Sequence, residues 1–370
     1  MTITSKSSKI NKNFGISSSA EGAIRFTMRL ISLSILSLAA GLTIARNFSN
    51  PIRVPGADPH IVTTGGYYYL TNTQTTHISV TRSTTLGGLL NGDTRTVWSD
   101  TNPDRNQDIW APEMHFIDGI WYIFYTAGNG DIGQGQRSFV LKGCDINPYD
   151  CNYTFLAELM PAAGGQGGPK LETPWSIDGT YLTIGAGRYH VVSAINQQGI
   201  QSIQIAELDT QTWTVSPWSI ISSPTEPWEM ADAVSGEPAA VNEGPNALYH
   251  NGSTWLSFSA SWCGTPAYTL GLLHYVGSGD PLNALSWEKS GPVLSSANGN
   301  YGTGHNVFFL SPDGTEVWNA YHATNNSAGS CGGDRYTMAQ IVNFDVSGNP
   351  DLGVPVNRGS SLKVPSGDGS

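Results

Sequence analysis

The sequence predicts an all-β chain folded as a five-bladed β-propeller, and three observations carry that prediction. First, no stretch after residue 46 sustains helical periodicity. Short runs rich in Tyr, Trp, Val, Ile and Thr alternate in period two between turns of Gly, Asn and Asp. Second, one unit recurs: "DPHIVTTGGYYYLTNT" from Asp58, "APEMHFIDGIWYIFYTA" from Ala111, "SIDGTYLTIGAG" from Ser176, "EGPNALYHNGSTWLSFSAS" from Glu243 and "GHNVFFLSPDGTEVWNAYHA" from Gly304. Each has a polar or small lead, an apolar strand, a turn with Gly and a second aromatic-rich strand. The third copy reads as abbreviated, lacking most of its first strand. Third, the unit starts lie 53 to 67 residues apart, room for four strands with long loops. Radial repetition leaves only short, protected sheet edges. A pair of β-sandwiches would not explain a polar lead at the same point of every unit.

Taken in chain order, residues 1–45 read as a signal peptide. "LISLSILSLAAGLTIA" (30–45) is apolar, Arg25 and Arg29 precede it, and Thr43 and Ala45 fit a small-x-small cleavage pattern. A signal anchor is the competing reading, but 16 residues are short for a membrane span. The 29 residues ahead of the apolar stretch make a long n-region, and Met28 is the expected true start. Residues 46–356 form the propeller and 357–370 a flexible Gly- and Ser-containing tail. The expected location is therefore extracellular.

Composition narrows the partners. Hydrophobic residues make up 39%, enough for a sizeable core, while charged residues are only 13%. A net charge of −11 excludes nucleic acid and stable association with an anionic membrane, since both need a basic surface. The 11 Trp and 15 Tyr can pack a β core or stack on sugar rings. Four cysteines in an exported chain suggest two disulfides. Of three connectivities, Cys144–Cys151 with Cys263–Cys331 is preferred because the first pair is so close in sequence. Sequons stand at Asn47, Asn152, Asn251 and Asn325.

In a propeller, equivalent positions on the innermost strands converge on the axis, which brings Asp58, Asp178 and Glu243 together. Glycoside hydrolysis needs a carboxylate base and a carboxylic acid on opposite sides of a sugar bond. A third carboxylate would raise the acid's pKa by like-charge repulsion. The plainer reading is that these are turn-forming acids beside Gly and Pro.

The motifs "GADPHIV", "DIWAPEMHFIDGIWYIFYTA", "PWSIDGTYL", "NEGPNALYHNGSTWLSFSAS" and "GTGHNVFFL…WNAYHA" appear in order from about residue 54 to 356. They resemble glycoside hydrolase family 43, the secreted α-L-arabinofuranosidases, arabinanases and β-xylosidases. The resemblance implies an inverting hydrolase with Asp58 as general base and Glu243 as general acid. Asp178 would modulate the acid's pKa and orient it. Base and acid are expected roughly 6.5–9.5 Å apart. The stretches "HNGSTWLSFSAS", "LGLLHY" and "GTGHNVFFLSPDG" look most like the exo-α-1,5-L-arabinofuranosidase branch. Arabinan, arabinoxylan or their oligosaccharides are then the expected partners, with the chain acting as a monomer. Endo-1,5-α-L-arabinanase and β-xylosidase remain alternatives. A non-catalytic sugar-binding propeller and a purely structural interaction propeller come from other classes.

The resemblance also weighs neighbouring residues. Arg335, in "GGDRYTMAQIV", matches an arginine that holds the innermost sugar; its other role would be a salt bridge with Asp334 or another acid. His305 matches a histidine near the axis that in some arabinanases lies beside calcium or another ion. No cofactor is required, and a structural axial ion beside His305 competes with a hydrogen-bonded His, since hard cations prefer several oxygens. Trp110 and Trp175 stand just before their motifs and are expected as pocket walls. Trp121, Trp255 and Trp318 are expected in the core, and His322 within the last blade. Glu113 is expected to support the site from outside the acid–base pair. Glu226, Glu229, Asp232 and Glu237 read as solvated loop charges.

Overall fold

The computed structural model describes residues 46–161, 175–231 and 240–369. The expected signal peptide with Met28, and the loop acids Asp232 and Glu237, lie outside them. The described residues form a five-bladed β-propeller of antiparallel sheets. Blade one comprises His60–Thr64, Tyr67–Thr71, Ile78–Ser83 and Asp93–Trp98, and blade two Gln107–Ile117, Ile120–Gly128, Arg137–Lys142 and Thr154–Glu158. Blade three is Ser176–Ile184, Gly187–Ile195 and Gln201–Asp209, with Thr214–Val215 and Ser219–Ser222 both pairing with its third strand. Blade four is Asn242–His250, Ser253–Ala260, Thr269–Tyr275 and Trp287–Leu294; blade five is Tyr301–Leu310, Val317–Thr324 and Tyr336–Ile341. The described helices are three short 3-10 turns. None is long and apolar enough to cross a membrane.

Local chemistry sets the hairpins. Two-residue turns of type I′ need positive φ at both central residues, which favours Asn-Gly, Asp-Gly and Gly-Gly. Asp118–Gly119 (φ 50° and 85°), Asn251–Gly252 (49° and 82°) and Gly65–Gly66 (57° and 78°) each join the first two strands of a blade. The Asp178–Gly179 pair behaves differently. It lies inside the strand Ser176–Ile184, where the register shifts between Ile177 and Thr180, and the hairpin turns later, at 185–186. The third unit is therefore not abbreviated. An Asp-Gly that looks like a turn in sequence is a β-bulge in the fold.

Burial confirms the radial arrangement. Five apolar clusters each lie between consecutive blades. One packs Ile78 and Val80 against Ile123 and Phe139, and another closes the ring by packing Ile61 and Leu70 against Val307 and Ala320. Trp121, Trp255 and Trp318 are buried in them. The outer edge of blade five is completed by residues 52–53, ahead of blade one. The Ile52 amide donates to the Thr337 carbonyl (2.9 Å), and the Thr337 amide returns the bond to Arg53 (3.0 Å).

The C-terminal residues depart from the flexible tail expected for 357–370. Ser361–Lys363 pairs with Asn47–Ser49, and Asp368 accepts the Leu86 amide (2.7 Å). The sequence offers no apolar run there, yet Leu362 and Val364 pack against the core between blades five and one, and backbone pairing and the buried Asp368 carboxylate complete the hold. Disulfides join Cys144 to Cys151 and Cys263 to Cys331. The four sequon asparagines are exposed.

Candidate active site

At the mouth of each innermost strand the backbone is forced into the left-handed region. Asp58 (φ 51°), Asp108 (48°), Ala111 (42°), Asp178 (58°), Gly244 (57°) and His305 (45°) mark the five blades in turn. Positive φ is uncommon outside glycine, and Asp adopts it more readily than most residues. On blades two to five the register shifts beside these positions. A bulge of this kind re-aims a side chain, which is how acids beside Gly and Pro come to point inward. Glu243 keeps ordinary geometry because Gly244 takes the strain; a Cβ on Gly244 would also sit 3.2 Å from the His305 ring.

These carboxylates share one cavity of about 590 Å³. Asp58, Asp178, Glu243, His305, Arg335 and Trp110 all line it. Asp58 and Glu243 keep part of their surface open to the cavity, whereas Asp178 is 6% exposed.

Asp58 is gripped as an anion. Its Oδ1 accepts from Arg335 Nη1 at 2.8 Å and lies 3.1 Å from His322 Nδ1 and 3.4 Å from His305 Nδ1. Its Oδ2 accepts the Thr73 hydroxyl at 2.7 Å, and that hydroxyl itself accepts the Ala111 amide at 2.8 Å. Burial alone would push this carboxyl up. The Arg335 guanidinium, followed by His305 and His322, outweighs burial and holds it well below the usual range.

The other two acids are shifted the opposite way. Burial raises Asp178 to about 7, with the Glu243 and Asp58 charges adding to it and His305 opposing. Asp178 Oδ2 accepts the Gly244 amide at 3.1 Å, one residue from Glu243. Burial also raises Glu243, held by the Tyr268 hydroxyl on Oε1 (2.9 Å) and Gln201 Nε2 on Oε2 (2.8 Å). Both donors favour the carboxylate and restrain the rise. The two acids interact, so a proton bound here belongs to the pair. His305 is raised because the Asp58, Asp178 and Glu243 charges outweigh the effect of its own burial.

The expected substrate residues divide. Trp110 lines the cavity, but Trp175 does not. It is buried, and its indole N–H donates to the Ile132 carbonyl (2.9 Å), so it braces a wall residue from behind. Arg335 lines the cavity and reaches Asp58; Asp334 instead accepts from Ser330 and Thr324. Sequence reading missed His322, placed within the last blade, which contacts Asp58 and stacks on Tyr268 at 5.5 Å. It also missed Thr73, Tyr268 and Gln201, which lie outside the repeated leads and carry no local signal. Glu229 is no solvated charge: it is fully buried and accepts from Lys289 Nζ (2.8 Å) and Asn242 Nδ2 (3.0 Å). Glu226 is exposed.

The donor set does not suit an axial cation at His305. Its Nδ1 lies 3.4 Å from Asp58 Oδ1 and 3.9 Å from Asp178 Oδ2, and the nearby carboxylate oxygens already accept from Arg335, Thr73, Tyr268, Gln201 and the Gly244 amide. Elsewhere, His60, Glu113 and His115 bring ligand-type atoms within 4.8 Å of one another. Yet the Met114 amide donates to His60 Nδ1 (3.2 Å), which leaves the ring proton on Nε2, the atom facing Glu113. Glu113 also takes His115 (2.8 Å) and Asn246 (3.2 Å). That is a buried carboxylate clamped by donors, and it lies outside the cavity lining.

A five-bladed propeller with three carboxylates converging on one cavity has the paired acids that a carbohydrate-hydrolysing class of protein requires. Residues 48–350 match glycosyl hydrolases family 43, and the chain belongs to that family. It is 34% identical over 357 residues to an extracellular exo-α-(1→5)-L-arabinofuranosidase of Streptomyces avermitilis, covering 90% of this chain and 70% of that protein. It is 31% identical to α-L-arabinofuranosidase 43 of Humicola insolens, covering 89% and 68%. Among solved structures, an α-L-arabinofuranosidase from Lactobacillus brevis superposes with a TM-score of 0.74 at 30% identity, over 85% of this chain and 98% of that one.

Proposed function

We propose that this chain is a secreted, inverting, exo-acting α-L-arabinofuranosidase that releases L-arabinose from α-1,5-linked arabinan or its oligosaccharides. The observation that supports the reading is the division of three acids that line one cavity: Asp58 is held well below the usual range, whereas Glu243 and the more deeply buried Asp178 are raised. The arabinofuranosidase names of its relatives point to the sugar. The protein works as a monomer and requires no cofactor, and its four exposed sequon asparagines are the acceptors open to glycosylation.

Asp58, held ionised, accepts a proton from water as the water oxygen attacks the anomeric carbon. Glu243 gives its proton to the departing glycosidic oxygen. The bond to that oxygen breaks as the bond to water forms, so the sugar leaves with inverted configuration. Asp178 keeps a proton available to the pair, because two close carboxylates resist simultaneous ionisation.

Proton NMR of the mature protein acting on linear α-1,5-arabinotriose tests this. Prompt appearance of free β-arabinose is expected, and Asp58→Asn or Glu243→Gln should each lower turnover by roughly 10²–10⁴. Arabinobiose as first product from longer chains would indicate endo action, and xylose from xylobiose a xylosidase. Sugar binding that survives without any turnover would mean a lectin.

A further inference from the structure

The Cys263–Cys331 disulfide lines the same cavity as the carboxylates, together with Gly332, Gly333 and Arg335. It joins the segment after the second strand of blade four to the loop between the last two strands of blade five. That loop, residues 325–335, reads "NNSAGSCGGDR", and residues 325–328 are exposed. Apart from Cys331 it offers only Ala328 as an apolar side chain, so hydrophobic burial cannot fix it. It lies backbone to backbone against blade four: a Cβ at Gly329 would fall 2.3 Å from the Thr265 carbonyl carbon.

What the loop holds is a guanidinium. Arg335 Nη2 donates to the Cys331 carbonyl (2.9 Å) and Nε to the Gly332 carbonyl (3.1 Å), while Nη1 donates to Asp58 Oδ1 (2.8 Å). Arginine presents its donors in a rigid planar fork. With two of those donors fixed by carbonyls at and beside the disulfide, the third is aimed from there. We propose that the Cys263–Cys331 disulfide is a positioning device for catalysis, setting Arg335 on Asp58, so that reducing this one bond weakens the base's anchoring without unfolding the propeller. The inference rests on the reading of Asp58 as general base.

The groups facing Asp58 decide the direction. Arg335 comes from the loop, His305 and His322 from blade five and Thr73 from blade one; the charges of Asp178 and Glu243 act from blades three and four. When Arg335 swings away, the histidines and Thr73 remain, but the one permanent cation is lost. The carboxyl then rises, and the acidic limb of the kcat/KM profile moves to higher pH.

The test uses Cys144→Ser/Cys151→Ser, in which the remaining disulfide can be reduced alone with dithiothreitol, alongside Cys263→Ala/Cys331→Ala. The Asp58 carboxyl is titrated by carbon-13 NMR, with Asp58→Asn for assignment, and kcat/KM on arabinotriose is measured against pH. Reduction should raise the Asp58 pKa by about one unit or more and cut kcat/KM roughly tenfold on the acidic side. In Arg335→Ala, reduction should change neither quantity further. An Asp58 titration that ignores reduction, or equal losses with and without Arg335, would overturn the proposal, as would loss of the folded far-ultraviolet signal on reduction. If the oxidised protein cleaves no arabinoside, the functional reading fails, while the Asp58 titration still decides whether the disulfide acts through Arg335.

Discussion

At the scale of single residues, the site consists of carboxylates driven apart in acidity by what surrounds them. Asp58 has its folded pKa depressed, so it contributes stability that is lost only as pH falls below the ordinary carboxylate range. Asp178 has the opposite sign. Its folded pKa is raised to about 7, so its ionisation costs stability as pH rises from about 4, and the full cost is present above pH 7. Asp178→Asn removes that cost and preserves the local geometry. Its amide oxygen can still accept the Gly244 amide, and Asn tolerates the positive φ that Asp178 adopts. The variant should therefore match the parent near pH 4 and exceed it at pH 8 by on the order of 1–4 kcal/mol, while arabinose release falls. Urea denaturation at both pH values checks this; a difference independent of pH would mean that Asp178 is not the ionising group.

At the scale of elements, the bulged strand mouths explain how much of the site could be read from sequence. The leads "ADP", "IDG" and "EGP" were legible because an acid beside Gly or Pro ahead of a strand is a local signal. The fold was legible for a similar reason, since Gly-Gly, Asp-Gly and Asn-Gly hairpins recur at regular spacing. Thr73, Gln201, Tyr268 and His322 were not, because each reaches the acids across a blade or between blades, and no window along the chain records such a contact. Glu229 failed for the same reason: among Pro, Trp and other acids it looks solvated, yet the fold buries it between Lys289 and Asn242. There it also accepts the Thr225 and Glu226 amides, fixing the described part of the loop that leads into the Glu243 strand. Glu229→Gln breaks the ion pair with Lys289 and should cost about 2–4 kcal/mol in denaturant unfolding. A loss below ~1 kcal/mol would show that the loop holds without its charge.

At the scale of the whole molecule, a propeller must close its ring, and here the described segments flanking the five blades on both sides take part. The N-terminal segment supplies the outer edge of blade five, and the C-terminal strand pairs beside it with Asn47–Ser49. Asn50 is the key to the seam. Its side chain copies a strand's backbone, with Nδ2 donating to the Ala339 carbonyl at 2.8 Å and Oδ1 accepting the Ala339 amide at 2.9 Å. Both bonds are buried, so removing the side chain strands a donor and an acceptor away from water. The seam also bears on chemistry. A few residues after Asn50 the same segment reaches Gly56, whose amide donates to the Arg335 carbonyl (2.9 Å), and then Asp58 itself. Asn50→Ala should therefore cost about 2–4 kcal/mol, the sum of two unsatisfied buried groups. It should also lower kcat more than KM, because Asp58, the proposed base, moves with the seam. Asn50→Asp sets a carboxylate oxygen against the Ala339 carbonyl and buries an unpaired charge, so at neutral pH its loss should at least equal that of Asn50→Ala. If both variants lose stability with kcat unchanged, ring closure and base placement are independent, and the N-terminal segment serves the fold alone.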